Sequence, residues 1–151
     1  MTITSSISTV ANSISGLTIS GVTIKNIDAI PDTARMLCPL LIPQPNDFVT
    51  NINVTFETFG SNGGAKLNMT YTLTYVFLFC EVSSGLGAFA AYNGLLTKLS
   101  AILVTIMSND AVTGAVDLTV GNIGNVGVIV DPAGVEFWGL TFTLNVLEYS
   151  Q

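Results

Sequence analysis

Enzymes need side chains that move protons, hold metals or attack bonds, and this chain is poor in all three. It has no histidine, ten Asp and Glu, four Lys and Arg, and two cysteines in 151 residues. Without histidine the commonest general base is missing, and neither a Ser-His nor a Cys-His nucleophile pair can be built. Asp28 and Asp32 are the closest pair of carboxylates, and their spacing suits capping of a turn over 33–37 better than holding a cation. Asp131-Pro132-Ala133-Gly134 has the acidic start of a calcium turn, but a plain β-turn uses the same residues. Gly121-Asn122-Ile123-Gly124 lacks the Lys-Ser/Thr of a phosphate loop and opens no helix. Cys38 and Cys80 are far apart and each sits among apolar neighbours, which predicts buried free thiols rather than a disulfide framework or a zinc site. Asn53-Val54-Thr55 and Asn68-Met69-Thr70 match the glycosylation pattern, yet both fall inside expected strands. The run Met1-Thr2-Ile3-Thr4-Ser5-Ser6 does not read as a signal peptide, and synthesis in a reducing cytoplasm is the expectation. No catalytic, cofactor-binding or metal-binding residue is predicted, and the chain is expected not to be an enzyme.

Composition points elsewhere. Charged residues make up 9% of the chain and hydrophobic ones 49%, against about 25% charged in an average soluble domain. A lone soluble monomer leaves single apolar side chains exposed but not broad patches of them, so much of this outer surface is expected to be covered. The net charge of −6 and the wide separation of Lys25, Arg35, Lys66 and Lys98 argue against gripping nucleic-acid phosphates. The best lipid candidate is residues 86–107, long enough to span a bilayer. Asn93, Thr97 and Ser100 interrupt it on one helical stripe while Leu95, Leu99, Ile102 and Ile106 repeat on another. That is an amphipathic helix on a sheet, so no membrane is expected.

The elements follow in a clear order. Ile3, Ile7, Val10 and Ile14 predict a short helix over 3–15 with Thr2 or Thr4 as N-cap, stopped by Gly16. A short strand is expected over 20–27. Prolines at 31, 39, 43 and 45 predict a rigid, extended surface traverse without regular pairing, with one helical turn over 32–37. Ile52, Val54 and Phe56 alternate with polar residues, as do Leu67, Met69, Tyr71, Leu73, Tyr75, Phe77 and Phe79 beyond the turn Gly60-Ser61-Asn62-Gly63-Gly64. This predicts a long β-hairpin whose second strand, 67–80, either projects from its domain or pairs with something else. The helix over 86–107 follows. Strands over 115–120 and 126–130 flank a loop at 121–125, and after the turn at 131–134 a last strand runs over 135–148. Its face carries Trp138, Leu140, Phe142, Leu144 and Val146. The expected fold is a single α+β domain over 1–151: an antiparallel sheet with a long hairpin, an amphipathic helix packed on it and a short N-terminal helix.

This arrangement resembles the tail terminator and neck proteins of tailed bacteriophages. The likeness rests on the proline block Ile30-Pro31-Asp32 to Leu40-Leu41-Ile42-Pro43, the strand from Phe48, the hairpin with its 67–80 strand, the helix 86–107, and Trp138-Gly139-Leu140-Thr141-Phe142-Thr143-Leu144. It covers nearly the whole chain through element order and carries no invariant functional residue across. The resemblance implies a virion protein, assembled in the host cytoplasm, that forms a homo-oligomeric, hexameric ring. Such a ring joins the head connector to the tail tube and gives DNA a channel.

The residues fit that expectation. Ser61, Asn62, Gly63 and Lys66 at the hairpin tip, with Tyr71 and Tyr75 on its second strand, are the candidate subunit contacts. Asp28, Asp47, Asp117, Asp131 and Glu136 are the candidate lumen residues, because acidic walls repel phosphates and let DNA pass without tight binding. Two alternatives stand beside the ring: another self-assembling β-rich protein, such as a tail tube or an adhesin-like surface module, and an enzyme or small-ligand binder.

Overall fold

The computed structural model describes residues 3–57, 66–109 and 116–150. The chain runs α1 (Ile3–Ser15), β1 (Thr23–Ile24), β2 (Leu40–Pro43), β3 (Val49–Glu57), β4 (Lys66–Glu81), α2 (Ala88–Ser108), β5 (Asp117–Val130) and β6 (Glu136–Ser150), with 3-10 turns at Ile27–Ala29 and Val82–Ser84. It is an α+β fold. Five strands lie in the order β1-β2-β4-β6-β5, and β3 also pairs with β4. The expected antiparallel sheet is in fact mixed, because β1 runs parallel to β2.

The length of β4 now has a cause. One side pairs with β6 along almost its whole length. The other takes two partners end to end, β3 on residues 66–73 and β2 on residues 75–78. At the join, Gln44 N–H donates to Thr74 O at 2.9 Å and Thr74 N–H donates to Phe48 O at 2.9 Å. Between these two bonds Pro45, Asn46 and Asp47 loop out. β2 and β3 are therefore one broken strand.

This corrects the expectation of an unpaired surface traverse. Leu40, Leu41, Ile42 and Pro43 are all buried and β2 pairs on both sides. Proline is tolerated because it stands outside the strand at Pro39 and at its last residue, Pro43. The expected strand over 20–27 shrinks to two residues. The turn near 35–37 is present, but Asp131 supports it, and not Asp28 or Asp32. Thr33 Oγ1 and Ala34 N–H both donate to Asp131 Oδ2 at 2.9 Å.

Two apolar clusters fill the two faces of the sheet, as alternation along β4 requires. Tyr71, Leu73, Tyr75 and Phe77 face α1 and α2, which contribute Val10, Ile14, Leu95, Leu99, Ile102 and Ile106. The predicted helix stripes thus take their expected places. Val76 and Leu78 face the other way, with Leu40, Ile42, Phe137 and Ala34.

β5 is one strand where two strands and a loop were expected. Register slips between Val120 and Ile123 and again between Gly124 and Gly127, each adding one residue to β5 opposite β6. These β-bulges free backbone groups, and threonines on β6 satisfy them. Thr143 Oγ1 accepts from Asn122 N–H at 2.7 Å, and Thr141 Oγ1 donates to Gly124 O at 3.1 Å. A third bulge, in β3 between Thr50 and Asn53, includes Ile52 and breaks the simple alternation expected there.

Candidate functional site

The residues picked out as contacts do not form one surface. Ser61, Asn62 and Gly63 lie outside the described residues. Lys66 is placed only by its backbone, which pairs with Glu57 at the end of the β3–β4 hairpin. Tyr71 and Tyr75 are 2% and 1% exposed, so they are core residues and not subunit contacts. Tyr75 stacks on Phe142 at 5.8 Å and meets Phe48 edge-on at 5.4 Å. Burial raises the Tyr71 hydroxyl pKa above its ordinary value, with the Glu148 carboxylate beside it adding to the effect. Burial and then Tyr71 do the same to Tyr75.

Of the lumen candidates, Asp28, Asp47, Asp117 and Glu136 are exposed. Asp131 is not. It is 7% exposed and accepts from Thr33 Oγ1, Ala34 N–H and Val135 N–H, each at 2.9 Å. Burial alone would raise its pKa, but these donors and the Ala133 N–H outweigh burial and hold the carboxyl below the usual range. Asp131 is a clamp between the β5–β6 turn and the segment before β2. Glu136 lies at that same end, opposite Val130. Asp117 opens β5 at the other end, about 40 Å away at the rise of an extended strand. Asp131 and Glu136 thus lie at one end of the β5–β6 pair and Asp117 at the other.

Cys38 and Cys80 are free and half-buried. Burial pushes the Cys38 thiol up to about 12, and Cys80, Glu81 and Asp131 add smaller contributions. Such a thiol is a poor nucleophile at neutral pH. Among the described residues no group of three or more His, Cys, Asp and Glu could hold a metal ion.

What the structure does assemble is an uncharged outer surface. On α2 the buried Ala91, Leu95, Leu99, Ile102 and Ile106 face the sheet, while Phe89 (83% exposed), Leu96 and Val104 (67% exposed) point away from it. Polar Asn93, Thr97 and Ser100 lie between them, as expected for the outer stripe. No carboxylate lies in α2, and its one cation, Lys98, turns back to donate from Nζ to Ser20 O at 3.0 Å. The surface continues onto the sheet. Tyr92 packs on Trp138 at 5.8 Å, and Trp138 pairs with Val128 of β5, which is itself exposed along with Val126 and Val130. By length and composition α2 is also apolar enough to cross a membrane. Beyond the other face of the sheet, a groove of about 790 Å³ opens between β5 and Pro31, Ile42, Val76 and Leu78.

Sequence reasoning found the polar stripe of α2 but missed Phe89, Leu96 and Val104 beside it. The available signal was a 21-residue helix with a single charged side chain.

No family model matches this chain, and no curated protein does.

Proposed function

We propose that this protein is a structural subunit that assembles with copies of itself into a ring. The ring belongs to the neck of a tailed-phage virion, between head connector and tail tube, where DNA passes through. The observation that carries the reading is the uncharged outer face of α2, where Phe89, Leu96 and Val104 stand exposed around Asn93, Thr97 and Ser100, and its continuation onto β5. Contiguous exposed apolar surface marks association sites, and obligate assemblies resemble a core cut in half. The order of helix, proline block, long hairpin, helix and closing strands supplies the likeness to terminator and neck subunits. The hexameric ring count comes from that resemblance.

Electrostatics suit a conduit. Six copies at −6 each would carry about −36, which repels phosphates. Arg35 is held by Glu81 at 3.1 Å and Lys98 by Ser20, so few cations remain to release counterions from DNA. A second reading, another self-assembling β-rich tube or surface module, is favoured by one observation: among the described residues β5 and β3 each have a strand partner on one side only.

Light scattering behind a sizing column, followed by electron microscopy, tests the proposal. The expected result is closed rings at micromolar concentration, with no duplex binding at physiological salt. A monodisperse monomer would overturn self-assembly. Sub-micromolar duplex affinity, the range of specific binders, would overturn the conduit and leave assembly standing.

A further inference from the structure

We propose that Cys38 and Cys80 form a redox-controlled clasp, coupling into one disulfide under oxidising conditions and parting under reducing ones. The clasp fastens the segment leading into β2 to the end of β4. It needs no second copy, so it stands apart from self-assembly.

Strand register brings the two cysteines together. Leu40 lies opposite Leu78, Leu41 opposite Phe77 and Ile42 opposite Val76. Two residues further on from the Leu40–Leu78 pair stand Cys38 on one strand and Cys80 on the other. Facing residues of an antiparallel pair have Cα atoms about 4.5–5.5 Å apart, within the range of about 4.4–6.8 Å that a disulfide spans. Pro39, between Cys38 and β2, stays in line with the sheet, because its carbonyl accepts from Thr23 N–H at 2.9 Å.

The side chains have the surroundings such a pair needs. Cys38 packs on the cluster of Ala34, Leu40 and Leu78, and its Sγ donates to Ala34 O at 3.6 Å. Against β6, Leu78 pairs with Gly139 and Cys80 with Trp138, which leaves Phe79 as an extra residue. A bulge re-aims the side chains beside it, and Cys80 adjoins this one. Cys80 also acts on the Cys38 thiol more strongly than Glu81 or Asp131 does, and such effects weaken with distance. Both thiols are only half-buried, so neither is sealed from a small reagent.

Burial keeps Cys38 protonated, so exchange starts at Cys80. The Cys80 thiolate attacks one sulfur of a low-molecular-weight disulfide such as oxidised glutathione, forming a mixed disulfide and releasing one small thiolate. Cys38 then gives its proton to water and attacks Cys80 Sγ, displacing the second small thiolate. The protein thiols lose two electrons in total, and the small disulfide is reduced to two thiols. A reducing cytoplasm keeps such a pair open, and an oxidising medium lets it close. The same region is already held by Asp131 on Thr33 and Ala34 and by Arg35 on Glu81. The disulfide adds a covalent tie there and closes a loop of about 43 residues, which restricts the unfolded chain.

The test incubates the folded full chain with oxidised glutathione, quenches it with acid, and reads intact mass, a non-reducing gel and maleimide uptake in denaturant. The expected product is a single chain about 2 Da lighter, from the two hydrogens lost. It should take up no maleimide, whereas the reduced chain is labelled at both cysteines. Its urea midpoint is expected to rise by about 1–2 M over that of the reduced chain, and dithiothreitol should return it. Cys38→Ser and Cys80→Ser, each checked for folding by circular dichroism, should show neither the lighter mass nor the higher midpoint. Thiols that stay reduced in the folded chain, stable glutathione adducts on both cysteines, or chains cross-linked in pairs would overturn the clasp. So would a disulfide that forms only in urea, or an oxidised chain less stable than the reduced one.

Discussion

Asp131 ties together residues 98 positions apart in the chain. Its carboxylate accepts from Thr33, Ala34 and Val135, and its own N–H donates to Val135 O at 2.9 Å. Hydrogen bonds to a buried charge are among the stronger ones in proteins, and Asp131→Ala is expected to cost about 2–3 kcal/mol by leaving the Ala34, Ala133 and Val135 N–H groups short of a partner. The donors that lower its pKa also set the sign of the pH effect. A carboxyl whose folded pKa lies below its unfolded value stabilises fully above the unfolded value, near pH 4, and loses that contribution as pH falls through the lower folded one. Urea midpoints of wild type and Asp131→Asn should differ most at neutral pH and converge as pH falls below the ordinary carboxyl value. A gap that stays constant down to acid would show that charge plays no part in the clamp. The turn at 131–134 was legible from Asp-Pro-Ala-Gly alone, whereas the partners Thr33 and Ala34 were not. Local spacing says nothing about a contact made only when β5 returns beside the start of β2.

At the level of elements, alternation and helical period revealed β4, β6 and α2, because each buries one continuous face against the others. β2 was illegible since three apolar residues between prolines carry no period, and the cause of their burial is pairing with β1 and β4. β5 was read as two strands because Gly121, Asn122, Gly124 and Asn125 look like loop. The threonines that make its bulges tolerable sit on β6, across the ladder. Close approach of β4 and β6 gives a direct test. A Cβ at Gly139 would lie 2.6 Å from Phe77 O, a backbone atom, while one at Gly124 would meet Thr141 Oγ1 at an ordinary 3.7 Å. Gly139→Ala is therefore expected to destabilise by about 1–3 kcal/mol through overpacking, and Gly124→Ala to change stability by less than about 0.5 kcal/mol. Denaturant midpoints at unchanged slope measure both. Equal effects at the two sites would mean that the strands yield easily at Gly139.

For the whole molecule, the scarcity of charge was the most legible feature and correctly anticipated exposed apolar surface, but not where it lies. The candidate contacts Tyr71 and Tyr75 followed the aromatic face of the strand inward, since alternation does not say which face is core. The surface on α2 makes a prediction about salt whose sign decides its nature. If copies meet through uncharged side chains, no attraction is lost when ions screen the solution, while repulsion among chains of −6 each is relieved. The Debye length falls from about 10 Å at 0.1 M salt to about 3 Å at 1 M, so assembly should tighten as sodium chloride rises, and tighten further in sulfate, which strengthens apolar burial. An interface held by ion pairs would loosen instead. Sedimentation velocity across that salt range reads the direction. Rings that dissociate as salt rises would mean that Arg35, Lys25 or the exposed carboxylates hold the copies together, and that the apolar face of α2 is turned toward something else.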